Sequence, residues 1–223
     1  MNVSVIIPVY NYSKFISCAI ESVVNQSVAA KEIIVVDDGS TDGLEKELER
    51  FKGQIKIIRF DSNRGVSFAR NVGVNTAENN IIMFQDADDV SLPNRIELCI
   101  NALADASVNI VLGMTYQFHD EASGLDANAP EVKNGETSHL LGTCALSFKK
   151  DVFAQVGEFD TKLRRGGEDL EWIMRAMMKG YQLTKIDQIF IRKRLHENNT
   201  SILKREDEVK IRLKIFRKNF SKI

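Results

Sequence analysis

Ile81-Ile82-Met83-Phe84-Gln85-Asp86-Ala87-Asp88-Asp89 joins a short apolar run to a cluster of carboxylates. The run has the length and composition of a strand buried on both faces. The carboxylates begin where that strand meets solvent. There they repel one another and gain no packing energy, so such a cluster usually holds a cation or positions a polar ligand. A simpler use is a helix start, with Asp89 or Ser91 as cap and Pro93 in the first turn. Capping needs one side chain, which leaves the others for a ligand.

Outward from this stretch the first half alternates two patterns. Val3 to Val9, residues 32–36, residues 55–60 and residues 108–114 read as further strands. Between them lie helical spacings. One starts at a Ser13 cap and carries Phe15, Ile16, Ala19, Ile20, Val23 and Val24. Others carry Leu44, Leu48 and Phe51, then Val66, Ala69 and Val72, then Ile96, Cys99, Ile100 and Leu103. Strands alternating with helices predict an α/β fold with βαβ units and a mostly parallel sheet. In open sheets of this kind ligands bind beyond the carboxyl ends of the strands. Tyr10-Asn11, Asp37-Asp38-Gly39-Ser40, Asp61 with Asn63, and the aspartate cluster all fall on that one edge.

The second half reads differently. Residues 117–140 are polar and irregular, the character of a binding loop. A strand is expected over 141–148 and a short helix over 151–156. Gly166-Gly167 leads into a helix beginning at Glu168-Asp169, with Leu170, Ile173, Met174 and Met177 inward and Gly180 as its stop. Residues 183–194 read as a strand broken near Asp187-Gln188.

Composition excludes several classes. Hydrophobic residues are 43% and charged residues 27% of 223, the balance of a soluble globular chain. The net charge of −1 argues against a nucleic-acid binder. Cys18, Cys99 and Cys144 are far apart and odd in number, which fits a reducing compartment better than a disulfide framework or a zinc site. No signal-peptide pattern precedes Val3 and no run has membrane-spanning length, so a cytoplasmic location is expected.

Taken together, Val5-Ile6-Ile7-Pro8-Val9-Tyr10-Asn11, Val35-Val36-Asp37-Asp38-Gly39-Ser40, Asn63-Arg64-Gly65 with Ala69-Arg70-Asn71, Asp86-Ala87-Asp88-Asp89, Val156-Gly157-Glu158-Phe159-Asp160 and Gly167-Glu168-Asp169 with Arg175 resemble the family 2 glycosyltransferases. They occur in that family's order and roughly its spacing, from residue 3 to about 201. The resemblance implies a single-domain GT-A fold over 1–203 and an inverting, metal-dependent transfer from a nucleotide-sugar. The donor expected is a UDP-sugar, and the acceptor a hydroxyl on a glycan or lipid-linked saccharide.

The resemblance also implies roles. Pro8 and Tyr10 would contact the nucleotide base, with Asp38 accepting the uracil N3–H; the bland alternative for Asp38 is a turn residue. Asn63 and Arg70 would be further nucleotide contacts, and Asp86 with Ala87 would face the ribose or base. Asp88 would coordinate Mn2+ or Mg2+, joined by His196, with Asp89 left as a cap. Asp169 would take the proton from the acceptor hydroxyl, and Glu168 would hold the acceptor. Trp172 reads as helix packing, with an acceptor-sugar platform as the alternative.

Rivals fit less well. A polyprenyl-phosphate glycosyltransferase has a phosphate acceptor and needs no strong base. A nucleotidyltransferase needs a glycine- and basic-rich loop after strand one, where Tyr10-Asn11-Tyr12-Ser13 stands. A non-catalytic sugar-nucleotide-binding module would not need both Asp88 and Asp169. A dinucleotide-binding dehydrogenase lacks its glycine fingerprint here. Beyond the resemblance, residues 204–223 carry eight basic and three acidic residues, with Val209, Leu213, Phe216 and Phe220 on one helical stripe. A basic amphipathic helix of that kind packs on protein or lies on an anionic membrane. Peripheral attachment to the inner membrane face and a homodimer are both left open.

Overall fold

The computed structural model describes residues 1–119, 137–138, 142–163 and 166–196. The basic segment after 203 and most of the polar segment after 117 lie outside them. The strands are β1 (Val3–Val9), β2 (Glu32–Asp37), β3 (Lys56–Arg59), β4 (Ile81–Phe84), β5 (Val90–Ser91), β6 (Ile110–His119), β7 (Thr137–Ser138), β8 (Leu146–Lys149) and β9 (Leu183–Leu195). The helices are α1 (Ser13–Val24), α2 (Leu44–Glu49), α3 (Val66–Thr76), α4 (Arg95–Leu103), α5 (Lys150–Val156) and α6 (Glu168–Met178). Among the described residues no helix is long and apolar enough to cross a membrane.

The nine strands among the described residues form one sheet in the order β3-β2-β1-β4-β8-β6-β9-β5, with β7 against β6. The long ladders, β1 with β2 and with β4, β2 with β3, and β6 with β9, are parallel. β8 runs antiparallel to β4 and β6, and β5 antiparallel to β9. β1 and β4 are buried along their whole length, as continuous apolar runs in a helix-covered sheet should be. β3 is mostly exposed and charged, as suits a sheet edge. The βαβ order brings the ends of β1, β2 and β4 to one edge.

Several local expectations are corrected. Tyr12, not Ser13, precedes α1, and the Ser13 N–H is satisfied from outside the helix by Asp42 Oδ2 at 2.8 Å. Asn94 takes the position before α4, so Pro93 lies ahead of that helix and Asp89 and Ser91 are not its caps. Ser91 instead belongs to β5, a two-residue strand too short to show any periodicity. The strand expected over 141–148 begins only at Leu146, after a 3-10 turn over Thr143–Ala145. β6 runs on to His119, into what reads as loop, because β9 supplies it with a parallel partner. The break expected near Asp187 is present as two register shifts between β6 and β9, where Leu112 pairs with Lys185 but Met114 with Ile189.

α6 is rotated from its expected phase. Met177 is exposed, whereas Glu168, Glu171, Trp172, Ile173 and Ala176 are buried. Trp172 decides this: its ring packs among Phe148, Phe153 and Phe159, and its indole N–H donates to the Gly157 carbonyl at 2.8 Å. It is a core residue, not a sugar platform. Glu171 is tolerated on the buried face because Arg175 Nε reaches its carboxylate at 2.9 Å. Gly180, at φ +88, ends the helix as expected, with the Tyr181 N–H turned back to the Ala176 carbonyl.

Candidate active site

The edge of the sheet is tied together by its own polar residues. Asn11, in the left-handed region at φ 55, accepts the Thr41 N–H at 2.8 Å and donates its N–H to Ser40 Oγ at 2.9 Å. These two bonds join the end of β1 to the end of β2. Asp38 is buried, and its two oxygens accept the N–H groups of Arg64 and Gly65 at 2.7 and 2.8 Å. That fixes the loop entering α3. A carboxylate has about four lone-pair sites, so Asp38 keeps acceptor capacity beyond these two bonds. Gly39, at φ +81, sits so close to the Ser62 backbone that a Cβ would meet it at 2.8 Å. Tyr10 is exposed at the mouth of this edge, and Asn63 is exposed in the loop before α3. Pro8 is buried within β1 opposite Val36, so its ring does not face solvent.

Arg70, expected at the nucleotide, is buried on α3 and bridges two carboxylates. Nη1 donates to Glu168 Oε1 at 2.7 Å and Nη2 to Asp86 Oδ1 at 3.3 Å. One guanidinium thereby joins the loop after β4 to the first residue of α6. The planar fork suits two carboxylates from different elements, which a lysine would not. Its neighbour Asn71 exchanges two hydrogen bonds with the Phe159 backbone, at 2.9 and 3.0 Å, and so holds the Gly157–Asp160 turn.

Asp169 follows Glu168 at the start of α6, where Gly167 in the left-handed region turns the chain. Asp169 Oδ1 accepts the Leu170 N–H at 2.7 Å. Burial, reinforced by the adjacent Glu168 charge, pushes its carboxyl up to about 6, although Arg70 works in the other direction. Such a group is ionised at neutral pH yet basic enough to accept a proton.

In the aspartate loop Ala87 and Asp89 are buried, while Asp86 and Asp88 keep part of their surface open. Asp89 accepts the Arg194 N–H at 3.0 Å, and its other oxygen is buried without a partner among the described residues. Burial, then Asp88, pushes its carboxyl well above the usual range. Asp88 Oδ2 meets His196 Nε2 at 3.0 Å. The His196 ring stacks on Phe15 at 4.8 Å and stands edge-on to Tyr12 at 5.6 Å, so α1 sets its orientation. Burial and the charges of Asp88 and Asp86 raise the Tyr12 hydroxyl to about 12.

Two donor sets in this loop could hold a cation. Asp86, Asp89 and Cys144 bring ligand atoms within 4.8 Å of one another. Burial, however, holds the Cys144 thiol well above its ordinary range, and hard cations prefer oxygen. Asp88 and His196 offer a second pair, a carboxylate oxygen and an imidazole nitrogen 3.0 Å apart, both donors that a divalent cation accepts.

Three contributors escape the sequence reading. Gln85, fully buried, spans the aspartate loop. Arg194 lies 5.0 Å from the centres of both the Phe15 and Phe118 rings, and its Nε donates to the Asp88 carbonyl at 3.0 Å. Burial alone would lower Lys193, but Cys144, Asp89 and Asp86 hold it above the ordinary lysine range. A basic Arg192-Lys193-Arg194 triplet ending a strand is the signal that was present for two of them.

Comparison with known proteins follows this geometry. The sequence model described as "Glycosyl transferase family 2" matches residues 4–150. Glycosyltransferase AglE of Haloferax volcanii is 30% identical over 193 residues, 82% of this chain and 63% of that protein. An Escherichia coli protein, UDP-Glc:alpha-D-GlcNAc-diphosphoundecaprenol beta-1,3-glucosyltransferase WfgD, is 34% identical over 112 residues, 50% of this chain and 44% of its own length. The chain thus spans less than two thirds of either relative. The mannosyltransferase PcManGT of Pyrobaculum calidifontis, solved with GDP-Man and Mn2+, superposes with a TM-score of 0.75 at 20% identity, covering 97% of this chain and 63% of that one. This likeness shows the GT-A fold.

Proposed function

The chain belongs to glycosyl transferase family 2, and from that premise we propose a metal-assisted, inverting transfer of a sugar from a UDP-sugar to a hydroxyl of a glycan or lipid-linked saccharide. The observation that carries it is the Arg70 bridge. It ties Asp86, on the loop with the cation-holding pair, to Glu168, beside the raised Asp169 carboxyl. On this reading the donor side and the acceptor side of the site are tied together by the buried Arg70 guanidinium.

Asp88 and His196 would hold Mn2+ or Mg2+, which when bound neutralises the charge that gathers on a departing nucleoside diphosphate. Asp38 and the exposed Tyr10 would receive the uracil ring, with Asn63 beside them; Asp86 and the Ala87 backbone would face the ribose. Arg70 acts by orienting Asp86 and Glu168, not by touching the nucleotide. Asp169 removes the proton of the acceptor hydroxyl as its oxygen forms the bond to the anomeric carbon. That attack comes opposite the leaving diphosphate, so the configuration inverts. Glu168 keeps the acceptor end of the site in place through its bond to Arg70. The name of WfgD supports a UDP-sugar, and the ligands of PcManGT support a nucleotide-sugar with Mn2+.

The test is a donor screen read as released nucleotide, with UDP-, GDP-, dTDP- and CMP-sugars, an oligosaccharide or lipid-linked acceptor mixture, and Mn2+ or EDTA. Release from a UDP-sugar that stops in EDTA is the expected result. Release from a GDP- or dTDP-sugar only would overturn the donor assignment, and release unchanged by EDTA would overturn the metal.

A further inference from the structure

We propose that Gln85 is a positioning residue for the cation-holding loop, acting as a fully buried strut that sets the distance between its two ends. The inference rests on the reading of the Asp86–Asp89 loop as the donor site. Gln85 is the first residue past β4 and is 0% exposed. Its amide nitrogen donates to the Asp86 carbonyl at 3.0 Å and to the Asp89 carbonyl at 2.8 Å. Both donor hydrogens are thus spent on the two ends of one four-residue loop, one hydrogen on each.

Its amide oxygen is equally committed. It accepts from Ser91 Oγ at 2.6 Å and from Arg95 Nη1 at 3.1 Å. Arg95 is buried as well. It also donates from Nη1 to Ser91 Oγ at 2.9 Å and from Nη2 to the Phe84 carbonyl at 2.7 Å. The network therefore runs from the end of β4, through the Gln85 amide, across the loop and into β5 and α4. Every hydrogen-bonding position of the amide is used, which fixes its orientation.

The consequence concerns the carboxylates and not only the fold. Asp86 and Asp88 repel each other; Arg70 and Arg194 hold the loop from other elements, and the Gln85 amide is the tie that joins its two ends directly. The strut holds the backbone at both ends, and the Asp88 side chain is left facing His196 at 3.0 Å. No other residue type of this length both donates twice and accepts twice from one planar group. Glutamate keeps the acceptor and loses both donors. Methionine keeps the length and loses everything polar.

The experiment compares Mn2+ binding, in the presence of UDP, for the wild-type chain, Gln85→Glu, Gln85→Met and Asp88→Ala, together with each thermal midpoint and the Mn2+ dependence of transfer. Groups bonded directly to metal ligands are worth about 10–100-fold in metal affinity; Gln85 acts one step further out, through the loop backbone, and a loss of about tenfold is expected for both variants. The rate of each should recover toward wild type as Mn2+ is raised, so that the concentration for half-maximal rate moves and kcat moves little. A purely structural residue would lower the thermal midpoint and leave the Mn2+ affinity of the folded protein unchanged. That result, in either variant that folds, overturns the proposal provided Asp88→Ala binds Mn2+ more weakly. If Asp88→Ala also binds Mn2+ normally, the reading of the loop falls and the strut falls with it.

Discussion

Asp169→Asn should lose about 10³-fold in kcat while folding normally and melting higher than the wild type. The two effects share a cause. The carboxyl is pushed up to about 6 by burial and by Glu168, so the folded protein resists the charge that the reaction needs. Asparagine has the same shape and accepts the Leu170 N–H in the same way, but it carries no charge and takes no proton. The pH dependence follows from the sign of the shift. The native carboxyl is raised above its unfolded value, so its charge opposes folding. The penalty is absent below the unfolded value near 4, grows as pH rises to about 6, and is constant above. Wild-type activity should fall as pH drops through about 6, where the base becomes protonated. The stability gap between Asp169→Asn and wild type should close over the same range. Steady-state rates and thermal melts from pH 4 to 8 measure both. A variant with near-wild-type kcat would remove Asp169 from the chemistry and favour a phosphate acceptor, which needs no strong base.

Arg70→Met should destabilise the protein by about 3–5 kcal/mol, the usual cost of removing one partner from a buried ion pair. Methionine fills much of the volume and leaves Glu168, which is 6% exposed, with no cation against Oε1. Glu168 Oε2 is already without a partner among the described residues. Chemical denaturation measures the loss. The double variant Arg70→Met/Glu168→Gln separates stability from function. It removes the uncompensated charge and should recover a large part of the stability, while transfer stays impaired because the Asp86 loop is no longer tied to the start of α6. Recovery of both would make the bridge a matter of folding alone.

The centre of the sheet is legible because β1, β2 and β4 are buried on both faces, and such strands declare themselves as apolar runs ending in polar clusters. β5, with two residues, gives no such signal, and β6 extends into polar sequence because its partner β9 comes from some seventy positions later. The phase of α6 is hidden for a related reason. Glu168 and Glu171 are polar in sequence and buried in the fold, Glu168 neutralised by the distant Arg70 and Glu171 by Arg175 one turn on.

Around the candidate site, the sequence reads as a set of residues and not as their wiring. Asp86 and Glu168 meet through Arg70, with Asp88 and Asp169 close by on the same two segments. Arg70 reads as a ligand contact from sequence because an arginine near phosphate chemistry invites that use; its burial between two carboxylates from distant elements has no sequence signal. Asp89 reads as a cap and is instead a buried acceptor for the Arg194 N–H. Nothing in the sequence marks Gln85, since a single glutamine at a strand end carries no spacing.

The most direct measurement is calorimetric titration of UDP into the wild-type chain and Asp88→Ala, each with Mn2+ and with EDTA. Mn2+ should strengthen UDP binding by about tenfold or more in the wild type and have little effect in Asp88→Ala. Absence of UDP binding to the wild type in Mn2+, or equal strengthening in both proteins, would contradict it.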